Sequence, residues 1–96
     1  MLKVEKFEDG EFKVFKARGK DIMVARVEGK YYAVEDKCTH MGCKLSEGTL
    51  NDDAIECPCH GSMFDLKTGK VLKGPAKKAL KSFKIKASGD DLLIDV

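Results

Sequence analysis

All four cysteines and both histidines of this 96-residue chain fall in two six-residue pieces, Cys38-Thr39-His40-Met41-Gly42-Cys43 and Cys57-Pro58-Cys59-His60-Gly61-Ser62, set 13 residues apart. Whatever fold the chain adopts, its soft-metal and redox-capable ligands converge on one site. Pro58, Gly61, Gly74 and Pro75 put the ligand-bearing pieces on loops rather than inside strands. So short a chain buries only a modest share of its unfolded surface, so it is expected to be one domain that gains from an internal staple.

Alternation, not helical spacing, dominates the apolar pattern. Glu11–Lys16 and Ile22–Val27 read as strands, and Glu28-Gly29-Lys30 turns the second into Tyr31–Val34. Strand signals return at Ala54–Glu56 and Met63–Asp65, and Lys67-Thr68-Gly69-Lys70 turns the chain into Val71-Leu72. Past Pro75, Ser82–Ala87 alternates, Ser88-Gly89-Asp90 turns, and Leu92–Val96 closes the chain. Eight or nine short strands predict an all-β, antiparallel sandwich or barrel. Residues 37–74 read as a small lobe inserted into a basal sheet formed by 1–36 and 75–96.

Charge and hydropathy exclude several function classes. The longest apolar runs, Ile22–Ala25 and Tyr31–Val34, are four residues, far short of a membrane span, and the first residues carry no signal-like apolar core. A cytoplasmic protein without a membrane anchor is expected. The net charge of +2 with intermixed signs, and few aromatics, argue against nucleic-acid binding. One Asn, no Gln and 16 Lys resemble the bias of proteins from hot environments. From Leu66 to Ser88 there are eight lysines and no acid; such a run is a solvated face, or it steers an acidic redox partner.

The six ligand-type residues divide in three ways. Structural zinc takes four around one ion, commonly through C-x-x-C or H-x(3–5)-H units, and this chain has neither. A disulfide or thiol redox module leaves both histidines unexplained. Two mixed chelates, C-x-H and C-x-x-H, on a two-iron, two-sulfide cluster take four of the residues and leave Cys43 and Cys59 free to bond each other, so that every one is accounted for.

The two pieces, with sixteen residues between His40 and Cys57, resemble the signature of Rieske iron–sulfur proteins. Similarity extends through Lys30–Asp36, Leu45-Ser46-Glu47-Gly48, Phe64–Gly69 and Gly74-Pro75-Ala76, over roughly residues 20 to 96. The resemblance implies a Rieske-like fold with a cluster-binding lobe, Cys38 and Cys57 on one iron, and His40 and His60 on the other. It implies a disulfide between Cys43 and Cys59, as in the Rieske proteins of cytochrome bc and b6f complexes and unlike most oxygenase ferredoxins. Closing a loop of about 15 residues contributes at most about 3 kcal/mol, less where a cluster already joins the same loops.

Further roles follow from the same resemblance. Ser62 is expected to donate a hydrogen bond to a cluster sulfide, Met41 to shield the cluster, and Gly42 and Gly61 to let backbone amides approach the sulfides. Pro75 matches a proline loop that covers the cluster. Phe64 stands where high-potential members have a tyrosine that bonds a cysteine ligand, so an intermediate potential is expected within the family's range of about −150 to +300 mV. Neutral imidazoles on one iron make electron uptake easier than in an all-thiolate centre, and couple it to imidazole protonation. The potential is therefore expected to fall with pH above neutrality; voltammetry flat to high pH would contradict histidine ligation.

The function so implied is a one-electron carrier, monomeric, with no catalytic residues of its own, serving a reductase and a terminal oxidase or oxygenase. Alternatives are an electron-delivering subunit of an oxygenase or nitrite-reductase-like complex, and a sensor that signals through its cluster or disulfide.

Overall fold

A computed structural model describes residues 2–39, 42–59, 61–74 and 76–95. Among these, eleven strands form three antiparallel sheets, and the only helical piece is a 3₁₀ turn at Leu45–Glu47. Among the described residues, no helix is long and apolar enough to cross a membrane.

The middle sheet sets the architecture. It orders β2 (Phe12–Ala17), β3 (Lys20–Val27), β4 (Lys30–Glu35) and β9 (Ser82–Phe83). Ile22, Met23, Val24 and Ala25 of β3 are all fully buried, and they point alternately into two different cores. A strand covered on both faces reads as a continuous apolar run, which is why these four residues do not alternate with polar ones. Glu28 and Gly29 join β3 to β4 with φ of 51° and 79°, the left-handed pair of a tight hairpin turn.

On one face, Ile22, Val24 and Ala33 meet Val4, Phe7, Leu92 and Ile94. Val4, Leu92 and Ile94 lie in a three-stranded sheet, β1 (Leu2–Glu5), β11 (Asp91–Ile94) and β10 (Ile85–Ser88), in that order. On the other face, Met23, Ala25 and Val34 meet Leu45, Ile55, Phe64, Leu66 and Leu80, together with Cys38 and Cys57. That second core backs the third sheet, β5 (Thr49–Asn51), β6 (Ala54–Glu56), β7 (Met63–Asp65) and β8 (Val71–Lys73), drawn wholly from residues 49–73.

Two expectations change in detail. The alternating run Ser82–Ala87 is not one strand: β9 pairs with β4 and β10 with β11, the switch of sheet falling at Lys84. Strands β1 and β5 add to those expected from alternation. Leu2–Glu5 gains its strand from Asp91–Ile94 at the far end of the chain, and Thr49–Asn51 has only one apolar residue.

Candidate metal centre

The two cysteine–histidine pieces fold into closely matching loops. In the first, the Cys38 amide donates to the Cys43 carbonyl at 2.8 Å and the Gly42 amide donates back to the Cys38 carbonyl at 2.8 Å. In the second, the Cys57 amide donates to the Ser62 carbonyl at 2.7 Å and the Gly61 amide to the Cys57 carbonyl at 3.1 Å. Gly42 and Gly61 take φ of 74° and 73°, a conformation costly for any residue with a Cβ. Their visible role is to close the turns, since both glycine amides are engaged by cysteine carbonyls. Cys38 follows the end of β4 and Cys57 the end of β6, so each loop hangs from a packed strand.

Cys38 and Cys57 are 2% and 1% exposed and share one apolar core with Phe64, which is fully buried on β7. Cys43 and Cys59 form a disulfide across the two loops, with Cα atoms 6.5 Å apart. Cys43 is half-buried and Cys59 exposed. Four cysteines thus sort into two kinds by burial and bonding. Alkylation without prior reduction, followed by mass spectrometry, is expected to leave Cys43 and Cys59 unlabelled; label on both would contradict the bridge.

One segment straps both loops to the body. Ala76 donates its amide to the Ser62 hydroxyl oxygen at 3.0 Å, Thr39 donates its hydroxyl to the Lys78 carbonyl at 2.6 Å, and Leu80 donates its amide to Gly69 at 2.7 Å. Glu35, at the end of β4, donates its amide to Lys81 at 2.9 Å. Ser62 is fully buried, and accepting through its oxygen leaves the hydroxyl hydrogen to be given elsewhere.

Asp36 is the residue that sequence reasoning passed over, using it only to mark the edge of the lobe. It is 4% exposed, and its carboxylate accepts from the Ser46 amide at 2.7 Å and the Ser46 hydroxyl at 2.6 Å. Its own amide donates to Asp21 on β3 at 2.8 Å. The first loop is thereby clamped at both ends, just before Cys38 and just after Cys43. A charged group two positions ahead of a buried cysteine was the available signal.

Of the expected site residues, the structure brings Cys38, Cys43, Cys57, Cys59, Ser62 and Phe64 together through these loops and their common core. His40, Met41, His60 and Pro75 lie outside the described residues. The donor set fits a soft, electron-rich metal group: two thiols withdrawn from water, on twin loops that each carry a histidine two or three positions on.

Comparison with known proteins decides the family. Residues 1–84 match the Rieske [2Fe-2S] domain. The chain belongs to the Rieske family. The Rieske domain is 40% identical over 87 residues to the ferredoxin component of biphenyl 2,3-dioxygenase from Rhodococcus jostii (strain RHA1), covering 91% of this chain and 81% of that protein. It is 43% identical over 76 residues to the 3-phenylpropionate/cinnamic acid dioxygenase ferredoxin subunit of Shigella flexneri serotype 5b (strain 8401), covering 78% of this chain and 72% of that one. Its fold matches a chain in the complex of reduced oxygenase and oxidized ferredoxin in carbazole 1,9a-dioxygenase, with a TM-score of 0.92 and 34% identity over 98% of this chain and 100% of the other. The Rieske domain carries a two-iron, two-sulfide cluster, which when bound takes up and returns one electron. It is an electron carrier, as the ferredoxins it resembles are.

Proposed function

We propose that this Rieske ferredoxin delivers single electrons from a reductase to an oxygenase, with Cys38 and Cys57 binding one iron and His40 and His60 the other. The observation that carries the ligand set is the pair of matching loops, each opening on a buried cysteine and closing on a left-handed glycine. The partner reading rests on the ferredoxin relatives and on the oxygenase–ferredoxin complex that the fold resembles. Adding the purified chain to the reductase and oxygenase components of a biphenyl dioxygenase is expected to restore product formation from NADH. Restoration by its iron-free form as well would refute the carrier role, and reversible reduction without restoration would refute the oxygenase partner.

The residues around the ligands have assignable work. With Ala76 donating to its oxygen, Ser62 keeps a hydroxyl hydrogen to give, and donated to a cluster sulfide it would favour the reduced form. The Phe64 ring excludes water beside both cysteines, and the family resemblance gives Met41 and Pro75 the role of covering the cluster. Phe64→Tyr is expected to raise the midpoint potential by about 60 mV if the new hydroxyl stabilises the reduced state by about 1.4 kcal/mol. An unchanged or lower potential in protein-film voltammetry would refute the hydroxyl assignment.

Residues 37–74 act as the cluster lobe on a basal body of 1–36 and 75–96, a division supported by the sheet drawn wholly from residues 49–73. The low amide and high lysine content supports a cytoplasmic protein of a hot environment, where an internal disulfide persists.

A further inference from the structure

The structure divides the lysine run of residues 66–88 into unlike groups. Lys67 is spent on Asp53, at 3.2 Å, and is held protonated above its usual range by that carboxylate. Lys78 and Lys81 instead join Lys37 around a cleft of about 490 Å³, beside Cys38 and Thr39 of the first cysteine loop, with Glu35 as its one acid. A neighbouring recess adds Arg18, Lys20 and Lys84, against Asp95. Across the two, six cations face two carboxylates. Among the described residues, Lys20, Lys37, Lys78 and Lys81 take part in no ion pair, whereas nearby Lys44 is paired with Asp21.

Lys20 and Lys81 are also forced together. They line the same recess, and the neighbouring Lys81 cation pushes the Lys20 ammonium below its usual pKa, which Glu35 opposes only in part. Two ammonium groups sharing one recess are relieved by an incoming anion.

Lys20 opens β3 and Glu35 closes β4, so the cysteine loop leaves from the same end of the middle sheet. At the other end, roughly 25 Å away for an eight-residue strand, the charges are more evenly matched: Glu28, Asp52 and Asp53 share a recess with Lys30 and Lys67, and Asp9 is paired with Arg26.

We propose that Lys20, Lys37, Lys78 and Lys81 form the docking site for a carboxylate-rich face of the redox partner. The proposal rests on the electron-carrier reading and adds where the partner sits and what chemistry recognises it. Four cations at the rim of the first cysteine loop hold acidic side chains where the distance for electron transfer is short. The excess positive charge of the patch steers the approach before contact, and the effect fades as salt shortens the screening length from about 8 Å at physiological strength to about 3 Å at 1 M.

Two small oxidants of opposite charge test the patch without knowledge of the partner. The reduced protein is mixed in stopped flow with ferricyanide or with hexaamminecobalt(III), as wild type, as Lys37→Glu/Lys81→Glu and Lys37→Gln/Lys81→Gln, and with Lys30→Glu/Lys86→Glu as the control. At low salt the Glu pair is expected to slow ferricyanide and speed the cobalt complex, each by about 10-fold after correction for driving force, and the Gln pair to do so less. The control should change neither, and the contrast should vanish at high salt. Binding of a fluorescein-labelled glutamate-rich peptide, read by anisotropy, should weaken in the same order. Equal rates in the variants and wild type, or tighter binding of single-stranded DNA than of the peptide, would overturn the proposal. Failure of the carrier reading shows separately, as a wild-type protein that cannot be reversibly reduced.

Discussion

Cys57→Ser is expected to give colourless protein whose iron and acid-labile sulfide fall from two each per chain to near zero. Cys43→Ser is expected to keep both and to lose at most about 3 kcal/mol of stability, the entropy of the released loop. The contrast follows from where the four sulfurs lie: Cys38 and Cys57 are sealed in the apolar core, whereas Cys43 and Cys59 are bonded to each other at a partly exposed edge. Serine oxygen is a harder and weaker donor to iron than thiolate, and the buried site offers no water to replace it. Colorimetric iron and sulfide assays on both variants check this. Full occupancy in Cys57→Ser, or loss in Cys43→Ser alone, would reverse the assignment of the two kinds.

Gly48→Ala is expected to destabilise the protein by about 3 kcal/mol, lowering Tm by about 12–24 °C for a domain of this size. Gly48 ends the 3₁₀ turn, its amide donating to the Leu45 carbonyl at 2.9 Å, and a Cβ there would overlap the Glu56 carbonyl oxygen. Glu56 pairs with Thr49 across β5 and β6 and immediately precedes Cys57. The methyl group can be admitted only by parting the strand that delivers the second cysteine loop. Gly10→Ala serves as the comparison: its φ of 81° costs about 1 kcal/mol, but its Cβ would meet no atom within 4 Å. Thermal melts of the two should differ by several degrees, and equal shifts would contradict the packing argument.

Much of this architecture was legible in the sequence because short antiparallel strands with glycine turns are local features. The Glu28-Gly29 hairpin and strands Ala54–Glu56 and Met63–Asp65 appear where alternation placed them. What alternation did not carry is long-range. Whether Ser82–Ala87 pairs with one sheet or two depends on β4 and β11, not on its own residues. Burial of Ile22–Ala25 on both faces likewise depends on two cores contributed from both ends of the chain.

The site shows the same division. The positions of the cysteines and histidines were plain as a motif, and the disulfide rested on family resemblance before the structure joined Cys43 to Cys59. Asp36 was not legible as a clamp, because its partner Ser46 lies ten residues on and meets it only when the loop closes. Nor could the lysine run be divided from sequence, since Lys20 and Lys37 reach Lys81 and Lys78 only through the fold.

The central claim is that histidine and cysteine ligands are shared unequally between two irons. Electron paramagnetic resonance of the dithionite-reduced protein tests it directly, because imidazole ligation lowers the average g below that of an all-thiolate two-iron centre. The account predicts the low-average-g spectrum at one spin per two irons; a spectrum of the all-cysteine ferredoxin type, or none from iron-replete protein, would contradict it.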